Sequence, residues 1–168
     1  MDDLDSDYPR SRGAAAIGAR LRRLSERIDQ DVGLLYAASG IRFQQRWYGP
    51  FNQIRLLGPI SGGEIAQRLR VTHVAVSQAC SGLITAGLVE RALDPTDSRR
   101  RLLTLTPAGR ELGETMDHFW RALEALSEEL NREAGDLHLP LDRLEAALDR
   151  ESIEERFRRL AARKPARP

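Results

Sequence analysis

Apolar residues recur through the N-terminal part of the chain at helical spacing. Ile17, Leu21, Leu24, Ile28, Val32 and Leu35 step by 4, 3, 4, 4 and 3, which predicts an amphipathic helix from about Ala14 to Ala38, ended by Ser39-Gly40. The stretch FQQRWYGPFNQIRLLGP comes next, rich in aromatics. Pro50 has no amide proton and restricts Gly49, so a turn of helix is expected to stop near Tyr48 and a second helix to begin at Pro50. Ser61-Gly-Gly-Glu64 has the spacing of a capping box and predicts a short helix with Ile65, Ala66 and Leu69 inward. Thr72 caps a further helix running to Ala86, and Gly87 supplies its left-handed stop.

The period then changes. Leu88–Asp94 and Arg100–Thr106 alternate as strands around a turn at 95–99. Thr106 and Pro107 open a long helix whose seam is Leu112, Met116, Phe119, Leu123, Leu126 and Leu130. The chain breaks near Gly135. Leu141, Leu144 and Leu148 start another helix, and the register slips at Ile153, Phe157 and Leu160. Ser152-Ile-Glu-Glu155 is a second capping box and places a break near Ser152. The fold class expected is mainly α with a small β-hairpin wing: a winged helix-turn-helix flanked by N- and C-terminal helices. The divisions expected are an acidic disordered tail (1–9), N-terminal helices (10–57), the winged region (58–107), C-terminal helices (108–163) and a basic tail (164–168).

Composition narrows the class. At 168 residues, 41% hydrophobic and 30% charged, the chain is long enough for one domain with a core. No apolar run approaches the ~20 residues that span a bilayer. MDDLDSDY is no signal peptide, and the single cysteine, Cys80, excludes an internal disulfide. A cytoplasmic protein with no membrane partner is expected. Net charge is only +1, yet it is segregated. Residues 1–9 hold four acids and no base, residues 10–110 hold 16 arginines against 7 acids, and residues 111–168 hold 10 bases against 14 acids.

The basic part contains a surface suited to a duplex. On a helical wheel Thr72, Val76, Ala79, Cys80 and Leu83 form the inner face of the 72–85 helix. Val74, Ser77, Gln78 and Ser81 form the outer face, with His73 at its edge. That face carries no acid. It offers an amide for adenine edges, hydroxyls, and an apolar group for a thymine methyl. The hairpin turn DPTDSRRRLLTLTPAG adds Arg99, Arg100 and Arg101, placed to reach phosphate or a minor groove. Asp94 and Asp97 would orient these arginines, and Arg101 could instead pair with Asp94. Base readout is assigned to His73, Val74, Ser77, Gln78 and Ser81. Phosphate contacts are assigned to Arg68, Arg70 and Thr72, and wing contacts to Arg99 and Arg100.

GPISGGEIAQRLRVTHVAVSQ and LITAGLVERALDPTDSRRRLLTLTPAG, within Gly58–Gly109, resemble the MarR family of bacterial transcription regulators. The family's wing pattern falls on Asp97, Arg99, Leu105, Thr106 and Gly109. The resemblance implies a homodimer joined through helices of both chain ends. Its two recognition helices would enter successive major grooves of a near-palindromic operator, and it would act as a repressor. RRLSERID, RWYGP and LDRESIEERFRRL resemble the regulator module fused to an acetyltransferase in some bacterial proteins. No enzymatic activity is carried over, since no acetyl-CoA phosphate loop is found.

The resemblance also implies an effector pocket near Trp47, Tyr48 and Phe51, which Tyr36, Phe119 and Trp120 could join. Two readings stand: a pocket for a small aromatic effector, or rings that pack the joint between helices. Cys80 lies on the inner face of its helix, where a thiol is ordinarily inert. His73, His118 and His138 lack ligand spacing, so neither a metal nor another cofactor is expected. The rival functions are a winged-helix module that docks onto acidic protein partners, or one that regulates an enzyme without binding DNA.

Overall fold

In the computed structural model, which describes residues 7–94, 96–97 and 100–162, Asp7 caps the first helix, α1 (Tyr8–Ser11). Its carboxylate accepts from the Arg10 amide at 3.1 Å and receives the Arg23 guanidinium at 2.8 Å. Residues 7–9 of the expected tail are therefore built into the fold. The remainder of that tail and residues 163–168 lie outside the described residues. A 3-10 turn at Gly13–Ala16 leads into α2 (Ile17–Ala38).

The clearest departure from expectation is α3 (Gln45–Leu57), which runs unbroken through Pro50. Trp47, Pro50, Phe51 and Ile54 share one stripe and are all buried. Each large apolar side chain removed from water contributes about 1.5–3 kcal/mol, so together they outweigh the ~3 kcal/mol that an interior proline costs a helix.

Local signals govern the next elements. The capping box at Ser61 and Glu64 starts α4 (Gly62–Leu69), with the Ser61 hydroxyl accepting from the Glu64 amide at 3.2 Å. Thr72 caps α5 (His73–Thr85) through the Ala75 amide at 3.2 Å. Gly87, at φ +73°, turns the chain into β1 (Val89–Leu93). An antiparallel partner, β2 (Arg101–Leu105), sets Val89 opposite Leu105 and Leu93 opposite Arg101. Ile60 adds one bridge to the hairpin: its amide donates to the Leu103 carbonyl at 3.1 Å, and the Leu103 amide returns to Ile60 at 2.8 Å. Then come α6 (Pro107–Glu133), α7 (His138–Arg150) and α8 (Ile153–Ala161), the last opened by the Ser152/Glu155 capping box.

The chain divides into two compact units, residues 1–114 and 115–168. The first unit holds a core centred on Tyr36, Phe51, Ile54, Ile65, Leu83 and Val89. In the second unit α7 and α8 bury no residue, and Ile153 and Phe157 stay 73% and 70% exposed. In the first unit α2 likewise leaves Ile17, Leu21, Leu24 and Ile28 exposed along one row. Among the described residues no helix is long and apolar enough to cross a membrane.

Candidate nucleic-acid interface

The tight connection between α4 and α5 depends on Arg70, which adopts the left-handed conformation at φ +52°. The Val71 amide returns to the Ala66 carbonyl at 3.1 Å, and α5 starts immediately after. Val76, Ala79, Cys80 and Leu83 are buried, as the wheel predicts. His73, Val74, Ser77, Gln78 and Ser81 are exposed, Val74 by 65%. Arg68, Arg70 and Thr72 are exposed as well. Gly82 is where α5 meets α3, since a β-carbon there would stand 2.7 Å from the Trp47 indole.

Alternation along the hairpin decides which arginines face α5. Arg91 lies opposite Leu103, and Arg101 opposite Leu93. Counting in twos places Arg91 and Arg101 on the same face as buried Val89, Leu103 and Leu105. That face meets α5. A cleft of about 320 Å³ results, with Gly62, Gly63, His73, Ser77, Arg91 and Arg101 in its wall. Thus a basic hairpin face and the acid-free start of α5 share one concave surface. Arg91 is a residue that sequence reasoning missed, although it keeps the period-two phase of Val89 and Leu93.

Arg100 is placed differently. Its Nη2 lies 2.6 Å from Glu64 Oε2, and its Nη1 lies 3.5 Å from Asp94 Oδ2. Asp94 is buried and pairs with Arg100. Arg101 lines the cleft beside α5, whereas Arg100 reaches Glu64 on α4. Asp94 also accepts from the Thr96 amide at 2.8 Å and from its hydroxyl at 2.6 Å. These Thr96 bonds are the main cause of its lowered pKa, and the charge of Arg100 adds to them. Arg99, assigned to the wing, lies outside the described residues.

The aromatic candidates pack against one another. Phe43 sits at the centre, its ring 5.3 Å from Tyr36, 5.7 Å from Trp47 and 5.5 Å from Phe51. The Tyr36 hydroxyl donates to Gln45 Oε1 at 3.2 Å, while Tyr36 and Phe51 are almost wholly buried and Tyr48 is half-buried. Phe119 and Trp120 belong to the second unit. Cys80 is buried, and burial pushes its thiol up to about 11 against a smaller opposing pull from Arg91. Among the described residues no cluster of three His, Cys, Asp or Glu side chains could hold a metal ion.

Two short helices, a tight turn and a hairpin fastened beside the second helix define a winged helix-turn-helix protein. Residues 50–100 match the sequence model of the MarR family. The fold is also that of several solved structures. MepR from S. aureus, crystallised with DNA, is 19% identical at TM-score 0.63, over 77% of this chain and 96% of that one. A mutant MarR from E. coli, complexed with operator DNA, is 20% identical at TM-score 0.63, over 88% and 99%. A probable transcriptional regulator from Pseudomonas aeruginosa is 24% identical at TM-score 0.61, over 76% and 96%. No match was found among curated proteins. The family match covers residues 50–100, and the likeness to these solved structures is one of fold.

Proposed function

We propose that this chain is a bacterial, cytoplasmic, homodimeric regulator of transcription that binds a near-palindromic DNA operator and represses the genes beside it. One observation carries the reading: His73 and Ser77 of the acid-free outer face of α5 line a single cleft with Arg91 and Arg101 of the hairpin. In this reading Val74, Ser77, Gln78 and Ser81 read base edges in the major groove, with His73 at the groove's edge. Arg68, Arg70 and Thr72 hold backbone phosphates. Arg91 and Arg101 join them from the cleft, and Arg99 belongs to the wing by its place in sequence. The two related proteins solved with DNA support the same reading.

The exposed apolar rows of α2 and of α8 support a dimer, because contiguous apolar surface of that extent is uncommon on a monomer. Regions 10–57 and 108–163 would provide the dimer helices, and 58–107 the DNA-binding part. Relief by a small aromatic effector would require the ring cluster around Phe43 to open. The reading involves no catalytic step and no cofactor.

A gel-shift titration against fragments of the source genome, repeated at several salt concentrations, tests the proposal. Binding should fall steeply with salt, and Arg91→Ala and Arg101→Ala should each flatten the slope of log K against log salt by about 0.9. Gln78→Ala should relax preference at one base pair, where a good bidentate contact is worth about 1–3 kcal/mol. Retention of no fragment, or binding indifferent to salt, would overturn the DNA reading and favour a protein partner.

A further inference from the structure

Besides the packing of its inner face on α5, the wing is joined to the segment around α4 by two ties spaced along one strand line. One is the backbone pair between Ile60 and Leu103, with bonds of 3.1 and 2.8 Å. The other fastening is the side-chain bridge from Arg100 to Glu64, three residues further along the same strand line, or about 10 Å at ~3.3 Å per residue. Two spaced fastenings set a direction, where one sets only a position.

The second fastening is a connected network. Glu64 Oε2 accepts from the Ser61 amide at 2.9 Å, from the Ser61 hydroxyl at 2.7 Å and from Arg100 at 2.6 Å. The same carboxylate therefore closes the α4 capping box and grips the wing. Arg100 reaches Asp94 with its other terminal nitrogen, and Asp94 folds the turn through Thr96. The Arg100 amide donates to the Asp97 carbonyl at 2.9 Å, and the Asp94 amide donates to the Arg100 carbonyl at 3.3 Å. An exposed ion pair contributes little to stability by itself. Its consequence here is geometric, because it joins a rigid helix start to the base of the turn.

We infer that Glu64 and Arg100 are positioning residues, a strut that sets the wing against α4 so that Arg91, Arg101 and the face of α5 meet the duplex together, with Arg100 making no phosphate contact of its own. The inference rests on the DNA-binding reading. It assigns Arg100 a different task from the one its place in the arginine run suggests. It also gives an acid beside the DNA-binding surface a reason to be there.

The decisive variant is Glu64→Gln, which keeps capping-box chemistry while removing the charge. A bystander carboxylate repels the phosphate backbone, so its removal would tighten binding. A strut requires the opposite. Glu64→Gln and Arg100→Gln should each weaken binding to the selected operator about threefold to thirtyfold, with an unchanged salt slope. The charge-reversed pair Glu64→Arg/Arg100→Glu should recover part of the loss. Without DNA, amide exchange at Thr96 and Arg100 should quicken in both single variants, while both proteins stay folded.

Tighter or unaltered operator binding by Glu64→Gln overturns the strut. So does a slope flattened by about 0.9 in Arg100→Gln, which marks a direct phosphate contact. If the unmodified protein retains no DNA, the functional reading falls, and the exchange measurement still judges the strut.

Discussion

The carbonyl oxygen of Leu88 occupies the space that a β-carbon on Gly109 would need. The approach is close because Thr106 ties three segments together. Its amide donates to Leu88 at 3.1 Å, its hydroxyl donates to the Gly87 carbonyl at 2.6 Å, and the same oxygen accepts from the Gly109 amide at 3.0 Å. The end of the hairpin, the turn after α5 and the first turn of α6 are thus joined at one residue. Gly109→Ala has to move backbone, so it should destabilise the protein by at least about 1–3 kcal/mol in urea unfolding. Thr106→Ala should cost about 1 kcal/mol or more through the lost cap.

Gly82→Ala sets its new methyl against the Trp47 indole, 2.7 Å from Nε1. Overpacking of this kind costs about 1–3 kcal/mol. Trp47→Phe shortens the opposing ring, so the double variant should lose less than the two single losses combined. Chemical denaturation of all four proteins measures the coupling. Full additivity would show that α3 and α5 do not meet at this point.

Cys80 should resist thiol reagents in the folded protein. Burial raises its thiol to about 11 from an ordinary 9.0 and so favours the neutral form in the fold. The associated stability is complete below pH 9 and disappears as pH rises through about 11. At about pH 8, labelling of Cys80 should track unfolding. Rapid labelling of the native protein would return a redox role to consideration.

Acid should release the Glu64 network. The Ser61 hydroxyl bond, then the Ser61 amide, then Arg100 hold its carboxyl down to about 2 from an ordinary 4.5. A depressed acid contributes stability above its unfolded pKa and loses it as pH falls through the folded value. The stability gap between the unmodified protein and Glu64→Gln should therefore be constant above about pH 4.5 and close toward pH 2. Thermal melts across that range measure it.

The apolar row of α8 offers a direct check on assembly. Phe157→Asp places a charge on a side chain that is 70% exposed in a single chain. It should leave the monomer fold intact and shift sedimentation from dimer toward monomer. An unchanged sedimentation coefficient with full operator binding would move the dimer contact elsewhere.

What the sequence determined by itself is the local chemistry. The capping boxes at Ser61 and Ser152, the Thr72 cap and the left-handed Gly87 depend on residues at most three positions apart, so they are legible along the chain. The inner face of α5 is legible for a related reason, since helical spacing alone puts Val76, Ala79, Cys80 and Leu83 together. Only the tertiary structure decided the rest. Pro50 stays helical because buried neighbours outweigh a lost hydrogen bond. Arg91 becomes part of the cleft because its face of the hairpin is the one that meets α5. Arg100 and Arg101 are identical and adjacent in sequence, yet one binds Glu64 and the other lines the cleft. Which side of the hairpin turns inward is set by packing between distant segments, and no local pattern encodes it.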